Sequence, residues 1–448
     1  MKRKSTLLAV LLSVVLMGTA LAGCSKGIDS SLAETTTTTK ATTTTAATTT
    51  TAATTTTVET TTTTAAATTT AATTKAAAAT TKATTAATTA ATAATTKATT
   101  AATTAAPATT GSPTKYVYNT LSAEEKTVYD EIVAAIKAFK TSVTFSSAHD
   151  GALVTRMYQN VFFQEPTLFW FMATTATYSG STSSISLDYR FTQSEVATMQ
   201  PKMDAAVNAI VAQAGGSGAS VMAKLTAMHD YIINKTTFSK DASEAKCAYG
   251  PLAGTYGQCE GYAKATAYVC DKLGIPNVRV TGLNDKQLTH AWNKVQVNGK
   301  WYNIDLTFDD PTSSDGSQKL IHNYMLVPDS QINGVSHFPD SAPFGSFPAA
   351  TSLDSNYFVV NGLYASTADD AAAKLQTAMT NGAKSKLAAV EVKCNSKATL
   401  DALKAQMIDQ GKVLTLKDNA NAASSNKISK VLYNADNNTF VFRVNLVY

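Results

Sequence analysis

The spacing of apolar positions divides this chain into stretches with and without a period. From Glu34 to about Thr110 there is none: the residues are almost all Thr and Ala with scattered Lys, and no aromatic ring occurs. Such a segment has nothing to bury in a core, and β-branched Thr opposes helix propagation by Ala. It is expected to be a solvated tether, about 260 Å long if fully stretched and about 50 Å across as a coil. Its threonine hydroxyls are candidate positions for sugars, with an unmodified spacer as the equal alternative.

Order is expected from about Lys115. Ser122-Ala123-Glu124-Glu125 has the form of a capping box, and Tyr129, Ile132, Val133, Ile136 and Phe139 follow at helical spacing. The pattern predicts a second helix over Gly151–Phe162 and short strands at Leu168–Met172 and Ser184–Tyr189. Two further helices fit Ser194–Gln213 and Ser220–Asn234, separated by Gly215-Gly216-Ser217-Gly218. His229, on the last of these helices, reads as a packing or capping residue.

Between Ala248 and Pro311 the pattern is sharper. A helix opens at Gly257-Gln258-Cys259-Glu260-Gly261-Tyr262 and continues through Thr266, Val269, Cys270 and Leu273, with Gly274 and Pro276 as its stop. Then His290–Val297 and Lys300–Thr307 read as two strands joined by Asn298-Gly299, a dipeptide suited to a type I′ turn. A two-residue loop fixes the register. Trp292 should then face Asp305, His290 should face Thr307, and His290 and Asp305 become diagonal neighbours on one face, about 7 Å apart at Cα. The opposite face, with Ala291, Asn293, Val295, Tyr302, Ile304 and Leu306, is mostly apolar and suits packing.

From Asn356–Tyr364 onward the texture changes. Helix-like runs at Thr367–Met379 and Lys397–Gln410 alternate with strand-like Leu387–Lys393 and Lys412–Leu416, and Lys430–Tyr433 with Thr439–Val447 reads as a hairpin. This predicts a small α/β unit in which Cys394 is a buried residue.

Charge narrows the function classes. Eight of the 37 basic and three of the 32 acidic residues fall in 1–114, so the remaining 334 residues carry 29 of each sign. That balance gives no electrostatic footprint for nucleic acid. At the start, Lys2, Arg3 and Lys4 precede the apolar run Leu7–Met17, which is too short for a permanent membrane span and reads as an export signal. Leu21-Ala22-Gly23-Cys24 resembles the lipobox of bacterial lipoproteins, which implies diacylation of Cys24 and an extracytoplasmic, membrane-anchored chain. Simple cleavage after Ala20-Leu21-Ala22 is the alternative. The five cysteines include no C-x-x-C pair and no dense His/Cys cluster, so neither a structural metal nor a cofactor is expected. Asp309-Asp310-Pro311 supplies too few oxygens for a calcium cage and reads as a turn, and no G-x-S-x-G supports a serine esterase.

Candidate chemistry concentrates on three residues. Cys259 lies at a helix start, where free N–H groups and positive partial charge favour the thiolate. Cys270, about 16 Å further along the axis, cannot bridge to it and should pack in the core. A thiol nucleophile needs a base, and the base an orienting group; His290 and Asp305 are placed to supply both. His322 and His337, past these three, read as structural residues, with a substrate-side role as the alternative. Gly257–Tyr262, His290-Ala291-Trp292-Asn293 and Trp301–Phe308 together resemble the bacterial transglutaminase-like domain, densely from about Leu225 to Pro328.

The resemblance implies an α+β, papain-like core in which a nucleophile helix packs on an antiparallel sheet. It implies a Cys259–His290–Asp305 triad acting on protein or peptide amides through a thioester, with cell-wall peptide among the candidate substrates. Water as acceptor makes a peptidase or amidase; an amine makes a transamidase. The competing class is a surface-binding module that keeps the fold without turnover. The expected organisation is a signal peptide with lipobox over 1–24, a tether over 25–114 and a mainly helical region over 115–220. A transglutaminase-like core over 221–345 and a small α/β domain over 355–448 complete it. If Cys24 is diacylated, the full chain partitions into a detergent phase and Cys24→Ala loses that property; unchanged partitioning of the variant contradicts the anchor.

Overall fold

The computed structural model describes residues 114–173, 177–311, 320–342 and 344–448. Cys24, the N-terminal apolar run and the Thr/Ala stretch lie outside them. The first half contains α1 (Tyr116–Thr120), α2 (Ala123–Lys137), β1 (Ser142–Asp150), α3 (Gly151–Gln164), β2 (Phe171–Met172), β3 (Ser181–Ser186), β4 (Asp188–Tyr189), α4 (Gln193–Gln213) and α5 (Val221–Lys235). The expected capping box is formed: Ser122 accepts from the N–H of Glu125, whose carboxylate accepts from the N–H of Ser122. β1, which was not expected, pairs antiparallel with β3. Its Ser- and Thr-rich sequence buries only Val143, Phe145 and His149, too sparse a pattern to announce a strand. Leu168, Phe169 and Trp170 are buried in a turn rather than in a longer strand, with the N–H of Phe171 closing back on the carbonyl of Leu168 at 2.9 Å.

The middle of the chain adds β5 (Thr237–Phe238), α6 (Tyr249–Ala253), β6 (Tyr256–Gly257), α7 (Cys259–Lys272), β7 (Asn277–Asn284), β8 (Thr289–Val297), β9 (Lys300–Ile304), β10 (Met325–Val327), α8 (Asp329–Ile332) and β11 (His337–Pro339). β10, β9, β8, β7 and β11 form, in that order, an antiparallel sheet. The β8–β9 register is the one the two-residue turn demands, from Val297↔Lys300 to Asn293↔Ile304. Asn298 and Gly299 both take positive φ, 51° and 77°, as a type I′ turn requires. Helix α7 packs on β7 and β8. Tyr262, Ala265, Val269 and Cys270 from the helix join Val295, Tyr302 and Ile304 from the sheet in one core with α2, α3, α4 and α5. Each large apolar side chain buried there contributes roughly 1.5–3 kcal/mol.

The last part comprises α9 (Tyr357–Val360), β12 (Tyr364–Ala365), α10 (Ala368–Ser385), β13 (Ala389–Cys394), α11 (Lys397–Lys404), α12 (Lys412–Ala422), β14 (Lys430–Asp436) and β15 (Val441–Val447). A sheet in the order β12-β13-β15-β14 and three helices enclose a separate apolar cluster that includes Cys394. Lys412–Leu416 belongs to a helix, not the strand expected: Val413 and Leu416, three apart, bury one helical face after Gly411 turns the chain at positive φ.

The start of α7 is fixed by a close approach. The N–H of Gln258 donates to the carbonyl of Ala245 at 2.8 Å, and a Cβ on Gly261 would stand 2.1 Å from that same oxygen. Gly261→Ala therefore forces this helix start to move. We expect a loss of about 1–3 kcal/mol in urea unfolding; an unchanged midpoint contradicts the contact.

Candidate active site

Cys259 is the first residue of α7, after Gln258, and is 3 % exposed. The first N–H groups of a helix have no acceptor within it and point outward with the positive end of the helix dipole, an environment suited to a thiolate and to a developing oxyanion. Thiolate chemistry at this position requires the reduced thiol. Cys247, Cys270 and Cys394 are free and buried, and burial raises the thiol pKa of each, most of all that of Cys270.

His290 and Asp305 are brought together as expected, but by a different local device. β9 ends at Ile304, and the chain turns at Asp305 instead of pairing on to Thr307. Asp305 Oδ1 accepts the N–H groups of Thr307, at 2.8 Å, and Phe308, at 3.2 Å. Its Oδ2 meets His290 Nε2 at 2.5 Å and His337 Nε2 at 2.8 Å. The second histidine was expected to be structural, with a substrate-side role as the alternative. It arrives on edge strand β11, paired with Asn284 of β7, and its Nδ1 lies 2.8 Å from the Ser336 hydroxyl. Burial pushes the Asp305 carboxyl up, but the two histidines outweigh it and hold the group well below the usual carboxylate range. Burial lowers the pKa of His337 in spite of the Asp305 carboxylate beside it.

Aromatic rings close the site. Phe308 lies 4.8 Å from both His290 and His337, Trp292 lies 4.7 Å from His337, and Tyr324 lies 5.6 Å from His337. Trp292 is itself fixed by its indole N–H donating to Asn303 at 3.1 Å. In such surroundings an ionised carboxylate persists only with its acceptor capacity filled, and Asp305 has four donors. His290 Nδ1, the nitrogen not engaged by Asp305, is buried and has no hydrogen-bond partner among the described residues.

The helix and the hairpin are tied directly. Asn293, three residues after His290, donates from Nδ2 to the carbonyl of Ala263, one turn after Cys259, at 3.0 Å. A second tie comes from the turn that follows Asp305: Tyr262 of α7 donates its phenol to Asp310 at 2.5 Å. The Asp309-Asp310 pair thus closes a turn, as expected, and each carboxylate also carries a contact to a helix, since Asp309 reaches His229 of α5 at 3.1 Å. His229 is fully buried, with Asp230 and Asp309 on its two ring nitrogens and the His322 ring stacked beside it.

Residues 208–306 match the model of the transglutaminase-like superfamily, a span that takes in Cys259, His290 and Asp305. No curated protein matches the chain. Among solved structures, the chain resembles a transglutaminase at 20 % identity, covering 26 % of this chain and 33 % of that one, with a TM-score of 0.23. It also resembles a protein from Cytophaga hutchinsonii named as a candidate cysteine protease, at 18 % identity over 38 % of this chain and 62 % of that one, with a TM-score of 0.23. The chain therefore spans less than two thirds of either structure. The chain carries a transglutaminase-like domain over residues 208–306, within a mixed fold of helices and antiparallel sheet.

Proposed function

We propose that this protein is a cysteine acyl-transfer enzyme acting on amides of proteins or peptides, with Cys259 as nucleophile, His290 as base and acid, and Asp305 as the orienting carboxylate. The observation that carries the reading is the state of the His290 ring: Nε2 is engaged by Asp305, while Nδ1 is buried and unengaged among the described residues. That arrangement favours the tautomer with its proton on Nε2 and a lone pair on Nδ1.

The chemistry follows. In the reduced protein the thiol proton of Cys259 passes to His290 Nδ1, and Sγ attacks the amide carbonyl carbon. The tetrahedral oxyanion is stabilised by N–H groups at the start of α7. As the C–N bond breaks, His290 returns its proton to the departing amine, leaving a thioester on Cys259. Water or a primary amine then attacks the thioester, His290 takes its proton, and Sγ leaves as thiolate. Burial of the Asp305 charge beside the ring stabilises the imidazolium at each stage. Anchoring through Cys24, with the Thr/Ala-rich stretch as spacer, would place this chemistry at the extracytoplasmic face of the cell membrane, within reach of neighbouring protein and wall peptides.

Reduced full-length protein is incubated with amide-bearing peptide libraries, with and without a labelled primary amine, and followed by intact mass. An acyl adduct on Cys259, absent in Cys259→Ala, is expected. Its release by water or its transfer to the amine names the enzyme. No adduct, and alkylation of Cys259 no faster than of a denatured thiol, contradicts the proposal.

A further inference from the structure

Four of the chain's five histidines, all four buried, belong to two His–Asp–His clusters. One is the His290–Asp305–His337 arrangement of the active site. The other lies on the far side of the Asp305–Asp310 turn and takes no part in the chemistry derived above. His229 and Asp230 are adjacent on α5, and His322 precedes β10. His229 Nδ1 and His322 Nε2 approach the same oxygen, Asp230 Oδ1, at 2.9 Å and 3.1 Å.

We propose that His229 Nδ1, His322 Nε2 and Asp230 Oδ1 form a binding site for a divalent transition-metal ion of the zinc class. Two imidazole nitrogens and one carboxylate oxygen are the donor set of a zinc site with an open fourth position. Ligand atoms around a tetrahedral ion at ~2.0–2.1 Å stand ~3.3 Å apart, so each nitrogen needs to move only a few tenths of an ångström from Asp230 Oδ1, and all three atoms already lie within 4.8 Å of one another.

The surroundings are those of a built metal site. A metal-bound histidine is fixed when its other ring nitrogen donates to a carboxylate, and here both do. His229 Nε2 lies 3.1 Å from Asp309 Oδ2, and His322 Nδ1 lies 3.0 Å from Glu391 Oε2. Those carboxylates are held in turn: Asp309 accepts the N–H of Tyr324 at 2.9 Å, and Glu391 accepts from Arg443 at 2.8 Å. Tyr357 stacks on His322 with ring centroids 3.8 Å apart and planes 3° from parallel, which fixes the ring plane. When an ion binds, each nitrogen facing Asp230 gives up its proton, while the N–H toward Asp309 or Glu391 is retained.

Access separates this cluster from the first. Asp230 and Tyr357 line a cavity of about 420 Å³, together with Met222, Ala223 and Thr226. The side chain of Asp230 is 24 % exposed, whereas that of Asp305 is 2 % exposed. The fourth position then belongs to a water or to a ligand entering from that cavity. The ion would also fasten α5, the segment before β10 and, through Glu391, β13.

The test titrates full-length protein with Zn²⁺ against a chromophoric chelator, and with Co²⁺ by visible absorption. One ion per chain is expected, with d–d bands of nitrogen–oxygen ligation and no thiolate-to-cobalt charge transfer. His322→Ala should weaken binding at least 100-fold, and Glu391→Gln 10- to 100-fold, while His337→Ala stays within threefold of the parent. Absence of stoichiometric binding, a thiolate signature, or a loss in His337→Ala that His322→Ala does not share overturns the proposal. If His322→Ala does not fold, the parental cobalt spectrum and Glu391→Gln decide the matter.

Discussion

The constraint on which the central region depends is the buried negative charge of Asp305. A carboxylate removed from water costs several kcal/mol unless its oxygens are fully engaged. Here Oδ1 takes two backbone N–H groups and Oδ2 takes two imidazoles. Those four bonds do three things together. They end β9 at Ile304, they fix the His290 ring on β8, and they draw His337, and with it edge strand β11, onto the sheet. Replacing any one partner leaves a charge or a ring unsatisfied in an aromatic enclosure, so the local fold and the candidate chemistry share the same bonds.

The turn that Asp305 starts extends the effect. Its carbonyl accepts the N–H of Asp309 at 3.1 Å. Asp309 then engages His229 of α5, and Asp310 engages Tyr262 of α7. Three carboxylates within six residues thus connect the sheet to the base, to the nucleophile helix and to the second histidine cluster. With the Asn293 to Ala263 bond, Cys259 and His290 are held on two elements whose relative placement is set by hydrogen bonds close to each residue. Such support is what positions reacting groups within tolerance.

Much of this is legible in the sequence because its determinants are local. Asn298-Gly299 sets a two-residue turn, and the turn sets the register; Gly257 to Gly274 bounds a helix that starts at Cys259. What the sequence does not show is set by contacts between distant residues. His337 is 32 positions from Asp305 and reaches it only because β11 pairs with β7. His229 and His322 are 93 residues apart in number and meet at Asp230 across the fold. The scarcity of histidine, five in 448 residues, was the available signal that each one has a specific partner. Register arithmetic alone also could not show that the strand stops before Asp305, because the stop comes from the side chain capping its own turn. At Lys412–Leu416 a short alternating run is ambiguous between strand and helix, and packing of Val413 and Leu416 against their cluster decides for helix.

The central claim is that Asp305 orients His290 for acyl transfer from Cys259. Single-turnover acylation of reduced Asp305→Asn, compared with Thr307→Val, tests it most directly, with folding checked by circular dichroism. Asn can present its amide N–H to the ring and favour the wrong tautomer, and a comparable change in a serine triad costs about 10⁴. A thiol depends less on its base, so the expected loss is on the order of 10²–10³. The Thr307 hydroxyl is buried and has no hydrogen-bond partner among the described residues, so Thr307→Val should change the rate by less than about threefold. A folded Asp305→Asn protein that acylates at the parental rate, or a Thr307→Val protein that loses more, contradicts the account.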